Sequence, residues 1–203
     1  MGKNIRQYMD NRLNSLLPQL GIDSWDFILK IHKELLNGIP LTRTKYYSLT
    51  NLPKERADAI LKKMGELDAE GNIAAFSGLS LTPTNHKFVV NGKTFYTWCV
   101  VDAILFAEWL AVNAHIFSND PVNESPIELQ IEGDFLSWTK PYPLYVSWVD
   151  TMDTCDIRGS LCDHVSFFAS EKTAGKWLKD HPEGEILKLE DFFTSENVGL
   201  KCC

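Results

Sequence analysis

Residues 95–106 read FYTWCVVDAILF, an apolar run bound for a core that nevertheless carries a thiol at Cys99 and a carboxylate at Asp102. A carboxylate buried without a partner is costly, so any fold of this chain has to pair it or put its discomfort to use. In a helix the two residues lie at i and i+3, one turn apart on the same face. Just upstream, KFVVNGKTFYTW sets two β-prone runs around Asn91-Gly92, a pair that suits a type I′ turn. The second strand of that hairpin feeds into Cys99 and so places it at a strand-to-helix junction. A helix N-terminus there is expected to stabilise a thiolate and lower its pKa.

The chain has 203 residues, enough for one good core or two small ones, and its 44% hydrophobic and 23% charged content is that of an ordinary globular protein. A formal charge of −7 argues against a nucleic-acid partner, which calls for a basic face. No apolar stretch is long enough to span a bilayer, and the start, MGKNIRQYMDNRLNSLL, lacks the apolar segment of a secretory signal, so no membrane partner is expected. Five cysteines without framework spacing point to reduced thiols and a cytoplasmic protein.

The segment SWDFILKIHKELLN, residues 24–37, carries a helical stripe of Trp25, Ile28, Ile31, Leu35 and Leu36, ended by Gly38 and Pro40. A short helix is expected after Thr42, then a turn at Thr50-Asn51-Leu52, then a longer helix with Pro53 at its first position, running through Met64. With the β-prone stretches Gly71-Asn72-Ile73 and GLSLTPT, this suggests a helix-turn-helix with a wing. Lys54, Arg56, Lys62 and Lys63 are offset by Glu55, Asp58 and Glu66, which favours a packing module over a DNA reader. A boundary is expected near Pro83–His86, giving units 1–83 and 84–203. Beyond it, PIELQIEG and PLYVSWVD alternate as strands do, and Ser170 ahead of Thr173 caps a short amphipathic helix.

Zinc would need an unusual set, Cys99, Cys155, Cys162 and His164, because the chain has no CxxC. Cysteine–histidine nucleophilic catalysis needs an imidazole beside the thiol. His164, two residues after Cys162, is the candidate, but a lone histidine in a β-rich apolar run is more often a packed core residue. Cys155 reads as structural. Taken singly, Cys99 and Cys162 are the small buried hydrophobes that free cysteines usually are, and Asp102 is a first-turn helix charge.

FYTWCVVDAILFA resembles the Y-x-W-C-x-x-D-x-L-x-F segment of the organomercurial (alkylmercury) lyases, and RGSLCDHVSFFAS resembles that family's R-x-S-x-C-x-H-V-x-F-F-A-S segment. The order and separation of the two, and the preceding GIPLTRTKYYSLTNLPKERADAIL, are similar to the family as well, over residues 24–195. The resemblance implies an α+β fold, with a helical winged-helix-like N-terminal domain packed on a mixed β-sheet core typical of these lyases. It implies mercury-resistance chemistry in which Cys99 and Cys162 bind mercury and Asp102 is the catalytic carboxylate. It implies no resident cofactor: the partners are an organomercurial substrate, low-molecular-weight thiols that accept Hg(II), and a mercuric reductase. One departure is Asp163, where many members have a second cysteine; it leaves product handling open. A further cysteine of some members falls near Asp120.

The chemistry accounts for the opening stretch on its own terms. Thiolates outcompete oxygen and nitrogen ligands for a soft organomercury cation. The carbon–mercury bond resists water because the departing carbanion has to be protonated as it leaves. Two thiolates weaken the bond, and a carboxylate whose pKa is raised by burial can take a thiol proton and give it to carbon. Arg158, four residues before Cys162, is placed either to steady a thiolate and its loop or to form a surface ion pair. Cys202-Cys203 resembles the terminal cysteine pair of mercuric reductases and otherwise reads as a tail without a role. A rival of another class is a non-catalytic organomercury-binding protein or sensor.

Overall fold

The computed structural model describes residues 14–15, 17–19, 21–22, 24–149, 153, 155–193 and 198; Cys202 and Cys203 lie outside them. Helix α1 (Asp26–Leu35) buries Ile28, Ile31, His32 and Leu35 on one side, the stripe anticipated from the sequence. Helix α2 (Arg43–Thr50) begins at Thr42, whose hydroxyl accepts from Lys45 N–H at 3.3 Å, and ends at Asn51 in the left-handed region (φ +52°). Helix α3 (Lys54–Met64) follows at once, with Pro53 in the capping position, one residue earlier than expected. Its buried edge is Ala57, Ile60, Leu61 and Met64.

One antiparallel sheet of eight strands dominates the chain. Its strands are β1 (Gly65–Leu67), β2 (Ile73–Phe76), β3 (Leu79–Ser80), β4 (His86–Val90), β5 (Lys93–Thr97), β6 (Asn113–Asn119), β7 (Pro126–Glu132) and β8 (Phe135–Lys140), in the order β1-β2-β3-β5-β4-β6-β7-β8. Leu41 adds an isolated antiparallel bridge to Ile73. Because β3 pairs with β2 on one side and β5 on the other, the sheet runs unbroken across residue 83. The β4–β5 hairpin turns through Asn91 (φ +51°) and Gly92 (φ +75°), the two positive φ angles that a type I′ turn demands.

Helix α4 (Val100–Trp109) packs on β4–β7. It is apolar on every side because it is covered on both: the His32 ring of α1 meets Phe106 edge-on at 4.5 Å, and Trp25 meets Trp109 at 6.1 Å. Facing α4, the sheet buries Phe88, Phe95, Ile116, Leu129 and Ile131 completely. Each side chain of that size contributes roughly 1.5–3 kcal/mol by leaving water. A second, three-stranded antiparallel sheet, β10-β9-β11, consists of β9 (Tyr145–Trp148), β10 (Phe167–Phe168) and β11 (Glu185–Lys188). A short helix α5 (Ile157–Ser160), capped by the Asp156 carboxylate, precedes a 3-10 turn at Cys162–His164, and α6 (Glu171–Asp180), capped by Ser170, covers the small sheet. Asp120 joins the two sheets: its fully buried carboxylate accepts from Val122 N–H at 2.9 Å and from Ala169 N–H at 2.8 Å. No helix among the described residues is long and apolar enough to cross a membrane.

Two imidazoles are sealed inside. His32 Nε2 lies 2.9 Å from the Phe76 carbonyl, and His86 Nδ1 lies 2.9 Å from Ser118 Oγ. Burial lowers both from the ordinary 6.5 to about 4. The unfolded chain therefore takes up protons near pH 6.5 that the native state refuses until about pH 4, so stability is complete above the higher value and is lost as pH falls through this window. In an Asp102→Asn background, which removes the opposing titration of that carboxylate, the urea midpoint should drop between pH 6.5 and 4, and Ser118→Ala should lower it without changing that slope; a midpoint flat across the window contradicts the buried, neutral assignment.

Candidate active site

Cys99 lies two residues beyond β5 and opens α4 as its N-cap, and Asp102 is the third residue of that helix. The pair is a capping box. The Asp102 carboxylate accepts from Cys99 N–H at 3.1 Å, and Asp102 N–H points at Cys99 Sγ at 3.5 Å. The i,i+3 spacing thus works through the helix end, with each residue's backbone donor engaged by the other's side chain. Cys162 arrives from the far end of the chain, on the 3-10 turn after α5. One ligand atom each from Cys99, Asp102 and Cys162 lie within 4.8 Å of one another, the one such cluster of metal-binding type among the described residues. Both thiols are free and buried.

The electrostatics differ from the sequence expectation. Burial, then the hydrogen bond with Cys162 and the Asp102 charge, push the Cys99 thiol well above its ordinary value; the helix N-terminus does not reverse this. At Cys162 the Cys99 hydrogen bond favours the thiolate, but burial together with Asp102 and Asp163 outweighs it, and the net shift is upward. Burial raises Asp102 from 3.8 to about 7, against the pull of its hydrogen bonds from Cys99. Near neutrality the two thiols therefore hold their protons, while Asp102 is divided between its acid and its carboxylate form.

Arg158 organises the rim. Its guanidinium pairs with Glu66 at the start of the sheet, reaches Asp163 at 3.7 Å and lies 5.8 Å above the Trp98 ring. It thereby ties the residue before one cysteine to the residue after the other, and of the roles open to it in the sequence the ion pair is the one observed. Asp163, the departure from the family motif, faces this arginine. His164 and Cys155 stay out of the cluster: the His164 ring meets His181 at 5.6 Å, and Cys155 is exposed. The four-residue zinc set is therefore not assembled.

The sequence reading missed the lid of the carboxylate, the Ser77–Gly78 turn between β2 and β3. A Cβ on Gly78 would stand 2.6 Å from Asp102 Cγ and 2.7 Å from each of its oxygens. The available signal was a Ser-Gly pair between two β-prone runs.

Comparison with known proteins places this geometry. The alkylmercury lyase (MerB) family profile matches residues 79–197. An alkylmercury lyase of Staphylococcus epidermidis is 31% identical over 194 residues, which cover 94% of this chain and 89% of that one. The chain belongs to the alkylmercury lyase family. It is accordingly an enzyme of that class. An alkylmercury lyase of Bacillus cereus is 34% identical over 161 residues, 78% of this chain and 73% of its own. The fold is similar to a crystal structure described as the mercury-bound form of MerB2, with a TM-score of 0.73 and 23% identity over 88% of this chain and 91% of that one. That likeness supports the α+β architecture with antiparallel sheets.

A carboxylate whose native pKa lies above its unfolded value costs stability as pH rises: nothing is lost below pH 3.8, and the full cost is present above about pH 7. Asp102→Asn should therefore be more stable than the parent at pH 8, by a margin that shrinks toward zero near pH 4. Thermal melts of the two proteins across that range check this, and a pH-independent difference contradicts it.

Proposed function

We propose that this lyase cleaves carbon–mercury bonds by protonolysis, with Cys99 and Cys162 as the mercury clamp and Asp102 as the proton carrier. The observation that carries it is the meeting of two buried thiols and a carboxylate within 4.8 Å in a chain of this family. An organomercury cation enters on one thiol, and its positive charge makes loss of the thiol protons favourable. Asp102 receives a proton from a departing S–H, and the second thiolate then adds to mercury. With electron density pushed onto the metal, the carbon–mercury bond breaks as the Asp102 proton passes to carbon. R–Hg⁺ and two thiols give R–H, an S–Hg–S complex and one released proton. Free thiols then exchange Hg(II) off the pair, with a reductase as a further acceptor and Cys202 and Cys203 as relay. No resident cofactor is required for these steps, and reduced cysteines suit the cytoplasm.

The N-terminal unit, 1–83, reads as a winged-helix-like module: its order is helix, bridging Leu41, two helices and the β1–β2 hairpin. Its role is to cover α4 and the site, in line with the charge balance along α3 and the acidic chain. The catalytic unit, 84–203, supplies all three reacting side chains and shares its sheet with the first.

Phenylmercury acetate with excess thiol should yield repeated benzene release, whereas a binding protein or sensor yields stoichiometric uptake and none. Cys99→Ala and Cys162→Ala should lose both tight capture and cleavage, because one thiolate cannot hold and activate the metal as two do. Asp102→Asn should capture methylmercury intact, seen as the added mass of the whole CH₃Hg group, while cleavage falls ~10²–10⁴-fold. In the chain cut after Lys201, cleavage should persist and transfer to an acceptor protein slow when thiol is limiting. Methane release at the parent rate from the Asn variant would overturn the role of Asp102.

A further inference from the structure

We propose that Gly78 is the positioning residue for the Asp102 carboxylate, and that His32 of the N-terminal unit holds the turn that carries it. The inference rests on Asp102 being the proton carrier. The Asp102 carboxylate lies so close to the Gly78 backbone that no side chain fits between them. Gly78 also stands at φ +96°, where side-chain-bearing residues are strained. The turn is fastened from three directions. Ser77 N–H donates to the Met64 carbonyl at 2.7 Å, and Trp98 N–H, next to the first thiol, donates to the Gly78 carbonyl at 2.8 Å. The third fastening is His32. Phe76 O can only accept, so the proton at this 2.9 Å contact sits on His32 Nε2. The same imidazole packs against Phe106 of α4, the helix whose first turn carries Asp102.

The consequence is mechanical and electrostatic. The turn excludes water from one side of the carboxylate, which is what keeps its proton affinity high enough for delivery to carbon. It also fixes the distance over which the proton moves, and displacements near 1 Å can cost ~10²-fold in rate. The titratable groups acting on Asp102 are the two thiols; the turn contributes backbone alone. The N-terminal helices thus act on the proton step without touching mercury.

Gly78→Ala separates positioning from capture. Hg(II) should bind one per chain as in the parent, since neither thiol is displaced. Single-turnover benzene release from phenylmercury should slow ~10–10²-fold. The Asp102 limb of its pH profile should move toward ordinary carboxylate values, because the displaced group is better hydrated. His32→Leu should shift both readouts the same way, and His32→Gln, which keeps an N–H at comparable reach, should restore them. In stability, the cost of Gly78→Ala should shrink in the Asp102→Ala background, where the added methyl has room. Should Gly78→Ala fail to fold, the His32 pair decides alone. Parent rates and an unmoved pH limb in Gly78→Ala and His32→Leu overturn the proposal, as does loss of Hg(II) capture in step with cleavage. Failure of the Asp102 assignment itself shows separately, as unimpaired cleavage by Asp102→Asn.

Discussion

Three groups that become anions on losing a proton share one buried pocket, with ligand atoms within 4.8 Å of one another. Two like charges 4 Å apart repel by about 4 kcal/mol at an effective dielectric near 20, equivalent to about 3 pKa units. Repulsion and burial therefore act in the same direction, and the resting pocket keeps its thiol protons. That constraint explains how a site can be both unreactive toward water and ready for a soft cation. The arriving positive charge supplies what the pocket lacks, and the protons then have reason to move.

The architecture serves that pocket. The β4–β5 hairpin delivers Cys99 to a helix end, so that one backbone junction orients both a thiol and a carboxylate. The second thiol comes through a loop whose Arg158 binds Glu66, Asp163 and the Trp98 face, tying the Cys162 segment to the Cys99 segment. Asp120 performs a related task in the interior, where its carboxylate joins the large sheet to the strand that follows Cys162.

Much of this was legible in the sequence where local chemistry decides it. Asn91-Gly92 announced its turn, Ser170 announced its cap, and the two cysteine motifs named the three side chains that the fold brings together. Local rules failed where long-range placement decides. A helix N-terminus alone implied a lowered Cys99 pKa, but the loss of water, with Cys162 brought in from far along the chain and Asp102 close by, reversed the sign. Gly78 looked like an ordinary turn glycine, because nothing nearby in sequence shows that a carboxylate 24 positions later packs on its backbone. His32 sat on a helical stripe, and its link to the Phe76 carbonyl is equally non-local. Strands β6, β8 and β11 take their places from pairing partners, which a single-chain pattern does not show.

The central claim is that burial holds the Asp102 carboxyl protonable near neutrality. Carbon-13 NMR of aspartate-labelled protein, with the Asp102 signal assigned by its loss in Asp102→Asn, reads this directly. The resonance should titrate with an apparent midpoint near 7, in concert with the thiols beside it. A midpoint at the ordinary 3.8 would mean a carboxylate too weakly basic to take up the thiol proton it is to carry to carbon, and would contradict the account.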